Sequence, residues 1–122
     1  MREDIEACIE ACKNCQRSCL ETAMTFCLVQ GGKHVQPEHF RLMLNCSELC
    51  QTCANFMLSQ STMHAEVCAA CATVCDACAD SCEQIGDMGE CVRLCRDCAR
   101  RCEAMSRPPA TGRAARGQRP SL

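Results

Sequence analysis

The chain has no tryptophan, no tyrosine and only three phenylalanines among its 122 residues. Leucine, isoleucine, valine and phenylalanine together number 19, so ordinary apolar burial is weak for a chain of this size. A low content of large apolar residues is typical of disordered chains when it is combined with a high net charge. The net charge here is only −2, which argues against disorder and leaves the core to other residue types.

Long apolar runs are also missing from the chain. No segment approaches the roughly 20 apolar residues that a membrane-spanning helix needs, so we expect no association with a membrane. The first residues, from Met1 to Glu6, are acidic and lack the basic region and apolar run of a secretory leader. We therefore predict a cytoplasmic protein, whose thiols stay reduced.

Cysteine is the abundant residue type, with 17 copies placed mostly in steps of three and four. Alternating steps of four and three average about 3.5 residues, which keeps side chains on one face of an α-helix. The pattern predicts that sulfur lines the core that large apolar residues normally fill. The candidate metal ligands are Cys8, Cys12, Cys15, Cys19, Cys27, Cys46, Cys50, Cys53, Cys68, Cys71, Cys75, Cys78, Cys82, Cys91, Cys95, Cys98 and Cys102.

Breaks between the cysteine groups divide the chain into four predicted helices. Gly31 and Gly32 end the first helix, and Pro37 begins the second. Ser61 or Thr62 is the expected N-cap of the third, and Gly86 with Asp87 and Gly89 marks the turn that separates the third helix from the fourth. Short connections make consecutive helices antiparallel, so the predicted fold is all-α, an antiparallel up-down-up-down four-helix bundle with a cysteine-lined core. The predicted helices cover about residues 2–30, 37–59, 63–85 and 90–105.

The composition changes at Ser106. Residues 106–122 are rich in proline, glycine and arginine and lack apolar periodicity, so we predict a disordered basic C-terminal tail behind one domain, residues 1–105. All 15 acidic residues and nine of the 13 basic residues precede the tail, which gives the domain a net charge of −6. Aromatic residues are not interleaved with the tail arginines, so we expect no nucleic-acid binding.

Thiols on one helix face are suited to soft metal ions. Cβ atoms three or four residues apart lie about 5–6 Å from each other. A pair such as Cys8 and Cys12 can therefore clamp one ion in a linear S–metal–S unit of about 4.6 Å. Thiolates select Cu(I), and about one monovalent ion per thiolate would neutralise the interior. The pattern predicts storage of multiple Cu(I) ions per chain.

So many cysteines are also compatible with other functions. Two converging Cys-x-x-Cys pairs suit zinc, in storage or in a structural site, but each tetrathiolate site keeps two negative charges that are costly to enclose. An iron–sulfur protein would carry a Cys-Pro run on a loop-rich scaffold, and a redox module would concentrate on one activated pair. A core that uses cysteine only for packing and a delivery chaperone with one labile site are further alternatives.

The cysteine register of all four helices resembles that of the cytosolic branch of the bacterial copper storage proteins. The similarity covers about residues 5–105, and includes the segment Ala7–Cys12, the five-cysteine third helix and the cysteines of 91–102 followed by Met105. It implies a four-helix bundle whose cysteines bind many Cu(I) ions and a homotetrameric assembly. Residue patterns do not identify a copper chaperone partner.

Histidine and methionine residues at one end of the bundle are further candidate ligands. In relatives, histidines near the first and third connections lie at the open end; here the first connection carries His34 and His39, and the third has Met88 but no histidine. Met43 and Met88 can face inward with Cys27. We therefore favour copper access beside His39 and Met88. The alternatives are that the methionines only fill the core and that His34 faces water.

The opposite end carries His64, four residues before Cys68. His64 either binds a last ion or is a satisfied core histidine, while Ile5 and Phe56 are expected to close this end with carbon. Carboxylates are spread over the predicted solvent faces, and the chain shows no Ser/His/Asp set or phosphate-binding loop. We predict a protein that is not an enzyme.

Overall fold

The computed structural model describes residues 2–107 and confirms the all-α four-helix bundle. The first of its four rods, or long helices, is continuous, although it is π-helical near its C-terminal end. The elements are α1 (Arg2–Glu21), the π-helical segment (Thr22–Cys27), α2 (Leu28–Gln30), a 3-10 turn (Gly32–Val35), α3 (Pro37–Leu58), α4 (His64–Ile85) and α5 (Gly89–Ser106). Most of the predicted tail, residues 108–122, lies outside the described residues.

The four rods pack in a square. Helix α1 packs against α3 and α5, and α4 packs against the same two helices, so α1 and α4 lie on a diagonal. Connections of only a few residues make sequential helices antiparallel neighbours. The cysteine-bearing seam of every helix consequently faces one common lumen.

Glycine and proline set the helix ends as predicted. Gly31 has a φ of 67° and Gly86 a φ of 94°, both in the left-handed region that favours glycine. Pro37 occupies the first turn of α3, where its missing N–H costs no hydrogen bond. The Gln36 side-chain oxygen accepts a hydrogen bond from the His39 backbone N–H at 3.0 Å. This cap fixes the start of α3 and with it the position of His39.

The start of α4 differs from the prediction, because its N-cap is Met63 rather than Ser61 or Thr62. Ser61 still serves this end: its hydroxyl accepts a hydrogen bond from the Met63 N–H at 3.0 Å, and its carbonyl accepts one from the His64 N–H at 3.3 Å. The serine therefore stabilises the turn before the helix instead of capping the helix itself.

The π-helical segment corrects the register of the first rod and was not predicted. Cys27 follows Cys19 by eight residues, so in an α-helix turning about 100° per residue it would lie about 80° off the seam. The wider π turns absorb one extra residue and bring Ala23 and Cys27 into the core, where both are fully buried. Phe26, seven residues after Cys19, is only half-buried.

The core is built from cysteine, alanine and methionine. All 17 cysteines are buried, whereas no leucine, isoleucine, valine or phenylalanine within residues 2–107 reaches the same burial. The large apolar side chains instead pack around this centre. Because cysteine behaves as a small hydrophobe with a reactive sulfur, the lumen is at once the core of the fold and a surface of thiols.

The outer face is charged. Arg96 on α5 donates hydrogen bonds to Asp80 at 2.8 Å and to Glu83 at 3.0 Å, and lies 3.5 Å from Asp76 on the same neighbouring helix. Exposed ion pairs of this kind contribute about 0–1 kcal/mol each. None of the helices in residues 2–107 combines the length and apolar character needed to cross a membrane.

Candidate metal centre

The cysteine sulfurs form a continuous file along the bundle axis. Each sulfur in the file lies 3.5–3.8 Å from the next. All of these cysteines are at most 2% exposed, so the file is enclosed by the helices. Its members in order are Cys8, Cys102, Cys12, Cys98, Cys50, Cys75, Cys46, Cys15, Cys95, Cys19 and Cys91.

Thiols of this file, together with Cys53, Cys68 and Cys71 beside it, cluster in groups whose sulfurs all lie within 4.8 Å of one another. Cys15 and Cys102 each belong to two groups, so neighbouring groups share ligands. Cys82 extends the file, since it lies beside Cys78 and Cys91. The groups are Cys8/Cys68/Cys102, Cys12/Cys53/Cys71/Cys102, Cys15/Cys50/Cys75/Cys98 and Cys15/Cys19/Cys46/Cys95.

The sulfur spacing already matches metal coordination. Three sulfurs at about 2.3 Å from one ion lie about 4.0 Å apart, and four lie about 3.8 Å apart. The observed distances, such as 3.5 Å between Cys50 and Cys75 and 3.8 Å between Cys50 and Cys98, are close to both values. Small rotamer changes would suffice to admit ions, and geometry alone favours neither three nor four ligands per ion.

Hydrogen bonds between thiols shift their pKa values in opposite directions. The pKa of Cys15 is lowered, because neighbouring thiols, Cys19 first, donate hydrogen bonds to its sulfur. The pKa of Cys19 is raised, chiefly because its proton is shared with Cys15 and also because of burial. The pKa of Cys50 is raised through its hydrogen bond to Cys15 and by burial. The file therefore holds protons that bound metal must displace.

The interior has little to balance negative charge. The buried polar side chains in residues 2–107 are His34, His39 and Ser47, so neither lysine nor arginine reaches the thiol file there. Ionised thiolates in such a place would carry a large desolvation penalty. Positive charge must come from the ions that bind.

At one end of the file, a cysteine thiol contacts the thioethers of two methionines. The Cys27 Sγ lies 3.6 Å from the Met88 Sδ, 3.7 Å from the Met43 Sδ and 3.9 Å from the His34 Nδ1. The structure thus brings together four of the residues selected from the sequence for this end. The alternative that His34 faces water is wrong: the 3-10 turn folds it inward to 4% exposure, with its ring 5.2 Å from that of Phe26.

His39 lies at the same end of the bundle, and its ring contacts a serine of α4. Its Nδ1 atom lies 2.7 Å from the Ser81 hydroxyl, and its Nε2 atom is buried with no hydrogen-bond partner in the described structure. Burial lowers the pKa of His39, although the charges of Cys78 and Cys91 oppose this shift. A lowered pKa favours the neutral ring, which is the form in which histidine binds metal. Ser81 was missed because it lies off the cysteine seam, next to Cys82.

The opposite end combines a buried methionine with a half-buried histidine. The Met57 Sδ lies 4.0 Å from the Cys68 Sγ. The His64 Nδ1 lies 3.0 Å from the Ser61 carbonyl oxygen, and Met105 packs against the core. Ile5 and Phe56 were expected to close this end, but both side chains are only half-buried.

Comparison with known proteins agrees with this architecture. The sequence profile described as copper storage protein matches residues 1–107. The chain belongs to the copper storage protein family. Its structure is similar to that of the Nmul_A1745 protein of Nitrosospira multiformis, with a TM-score of 0.86 and 54% identity over 87% of this chain and 97% of that one. The resemblance to the copper storage protein family, drawn from the cysteine register, is confirmed.

Two further relatives of this copper storage family member come from Bacillus subtilis. The copper storage protein BsCsp3, solved with Cu(I) bound, has a TM-score of 0.78 and 32% identity over 85% of this chain and 99% of that one. The uncharacterized cysteine-rich protein YhjQ of strain 168 is 35% identical over 72 residues. That match spans 59% of this chain and 66% of YhjQ, slightly less than two thirds of its length.

Proposed function

We propose that this protein binds and stores many Cu(I) ions on thiolates that line its lumen, and so buffers and sequesters copper. The observation that carries the proposal is the enclosed file of thiols, in which the sulfurs stand 3.5–3.8 Å apart without a buried lysine or arginine in residues 2–107. Membership of the copper storage family and the Cu(I)-bound state of the similar BsCsp3 support it.

Charge favours copper over zinc, the main alternative. The groups of four thiols fit a tetrahedral ion by distance, but each tetrathiolate zinc site would keep two negative charges. Several such sites stacked in a lumen with no balancing cation would be unfavourable. Cu(I) at about one ion per thiolate leaves the interior neutral. Sharing of Cys15 and Cys102 between groups also suits a chain of bridged monovalent ions better than separate zinc sites.

The ligand set of this proposal is the 17 cysteines together with His34, His39, Met43 and Met88 at the Cys27 end and His64 at the other end. At the Cys27 end, Met43, Met88 and His34 surround one thiol, and His39 offers a neutral Nε2 atom. Thioether and imidazole are neutral ligands for Cu(I). We assign this end to the admission of copper, with His39 and Met88 at the portal.

The setting of the protein follows from the same chemistry. Storage needs no catalytic group, so we infer a protein that is not an enzyme and that works in the cytoplasm, where thiols stay reduced.

We also propose a homotetramer, as the family resemblance implies. Leu20, Met24 and Leu28 are at least 40% exposed at four-residue spacing on the first rod, and they form an apolar stripe suited to a contact between copies. Light scattering of the intact protein measures the oligomeric state directly.

Anaerobic titration of the reduced protein with Cu(I) tests the storage function. Binding near one ion per thiol supports storage, whereas one or two ions would indicate delivery and none would leave cysteine as packing only. A parallel titration with Zn(II) distinguishes the metals, because zinc should stop at about one ion per four thiols. A higher capacity for Zn(II) than for Cu(I) would overturn the proposal.

A further inference from the structure

The end of the bundle that lies away from Cys27 contains a cavity of about 630 Å³. Its walls come from the start of α1, the end of α3 and the turn before α4, and include Ile5, Ile9, Met57, Leu58 and His64. Ile5 thus forms part of a wall rather than the expected seal. This end has an open space directly beside the thiol lumen.

Met57 connects the cavity with the thiols. It lines the cavity although it is only 4% exposed, and its Sδ atom lies 4.0 Å from the Cys68 Sγ. Cys68 in turn lies 3.5 Å from Cys53 and belongs to the group with Cys8 and Cys102. An ion on the Met57 thioether would therefore be one sulfur away from the first thiol group.

His64 supplies a second neutral ligand on the same wall. Its Nδ1 atom lies 3.0 Å from the Ser61 carbonyl oxygen, and because a carbonyl only accepts, Nδ1 carries the proton. The Nε2 atom of the neutral ring then keeps its lone pair. His64 precedes Cys68 by four residues, so the two side chains lie on the same face of α4, and His64 lines the cavity with Met57.

The two ends of the bundle differ in the solvent exposure of their candidate ligands. At the Cys27 end, His34, His39 and Met88 are 4%, 3% and 5% exposed. At the far end His64 is half-buried and borders the cavity. A small copper-binding molecule can therefore reach His64 from the cavity without first displacing a buried side chain, and Met57 lies buried behind it.

We propose that the cavity is a second portal, through which stored Cu(I) leaves the Cys8/Cys68/Cys102 group by way of Met57 and His64. This inference rests on the proposed storage function. Neutral ligands leave the ion its positive charge and hold it less strongly than thiolates do, so the site passes ions on and does not store them. The acceptor is a small thiol that fits the cavity.

The transfer is a ligand exchange without a change of oxidation state. The Cu–S bonds to the Cys8/Cys68/Cys102 group break, the one to Cys68 last, while a Cu–S bond to the acceptor sulfur forms, with Met57 and His64 as transient ligands between them. Copper remains Cu(I) throughout. The proton that the acceptor thiol gives up passes to the Cys68 sulfur, so charge in the lumen is conserved.

Extraction kinetics test the second portal. Copper-loaded wild type is compared with Met57→Leu and His64→Gln, and with the matched variants Met43→Leu and His34→Gln at the other end. Each sample is mixed anaerobically with excess dithiothreitol and, separately, with excess bathocuproine disulfonate, and copper release is followed over time. We expect the Met57 and His64 variants to release copper about tenfold more slowly, with copper capacity within about two ions of wild type. The Met43 and His34 variants alter the admission end and should slow release much less than that. Met63→Leu changes an exposed methionine outside the ligand set and should release copper at the wild-type rate.

A third variant keeps the ligands but narrows the space. Ile5→Phe places a larger side chain in the cavity wall and so reduces the cavity volume. It should slow the extraction of copper without changing the number of bound ions. Unchanged release in all three far-end variants, or slower release only in the Met43 and His34 variants, would overturn the second portal while leaving storage intact. Storage itself would fail in a different way, through a low copper capacity of the wild type.

Discussion

The Nδ1 atom of His39 lies 2.7 Å from the Ser81 hydroxyl, and this contact ties the first turn of α3 to the last turns of α4. It also fixes the imidazole so that Nε2 stays buried and without a partner in the described structure. An orphaned ring nitrogen inside a protein costs free energy unless something binds it. At the end of a thiol file, a soft metal ion is the group that would.

Stability of the metal-free protein should depend on His39. Burial lowers its pKa from the ordinary value of 6.5, so between the two values the unfolded chain binds more protons than the folded one. The free energy of unfolding therefore rises with pH across this window, and it should fall as the pH is lowered from about 7 to about 5. Urea denaturation of reduced apoprotein across this range measures the slope, which His39→Gln should reduce.

A second variant distinguishes the effect of protonating the His39 ring from the effect of its contact with Ser81. Ser81→Ala removes the hydroxyl but keeps the imidazole buried, so it should lower stability by about 1 kcal/mol and keep a pH dependence of the same sign. A His39→Gln variant with the full wild-type slope would show that another group controls the response.

Copper capacity should depend on where in the file a thiol lies. Cys15 belongs to two groups of four thiols, whereas Cys82 belongs to none of the groups. We expect Cys15→Ala to lower the capacity by about two ions and Cys82→Ala by about one. Elemental analysis of loaded protein gives the counts. Equal losses in both variants would mean that ions are not bridged through Cys15.

Loading should stabilise the fold strongly. Ions bind the folded cage better than the open chain, and a ligand at about 1,000 times its Kd adds about 4 kcal/mol. For a small domain this corresponds to a rise in Tm of at least about 15 °C. Calorimetry of empty and filled samples measures the rise, and removal of copper by a chelator should restore the original curve. Identical melting curves would contradict the account.

Deletion of one residue should convert the π-helical segment to regular α-helix without loss of copper binding. With Met24 deleted, Cys27 would follow Cys19 by seven residues and face the lumen in a regular α-helix. We expect this variant to fold and to keep the copper capacity of the wild type, while Met24→Ala serves as the control for loss of the side chain alone. Loss of one or more ions on deletion, with full capacity in the control, would show that the π geometry itself positions Cys27.

Sequence reasoning found the helices and the lumen because a single physical signal defined both. Steps of three and four place thiols on one seam, and Gly31, Pro37 and Gly86 set the helix ends. The eight-residue step from Cys19 to Cys27 was a readable sign of the π-helical segment, since it breaks the seven-residue repeat.

Other features depend on contacts between elements and left no signal in the local pattern. Burial of His34 requires the 3-10 turn to fold against Phe26. The contact between His39 and Ser81 joins residues 42 positions apart. The cavity beside Met57 arises from how the ends of α1 and α3 and the turn before α4 fit together, and residue spacing within one helix cannot predict it.

The central claim is that the sulfurs enclose one channel filled with Cu(I). A crystal of the copper-loaded protein measured at the copper absorption edge tests it most directly, because anomalous scattering shows each ion independently of the protein atoms. The account predicts a row of copper peaks along the bundle axis, within about 2.3 Å of the sulfurs of successive thiol groups from Cys8 to Cys91. One or two peaks, or peaks confined to the outer surface while the lumen stays empty, would contradict it.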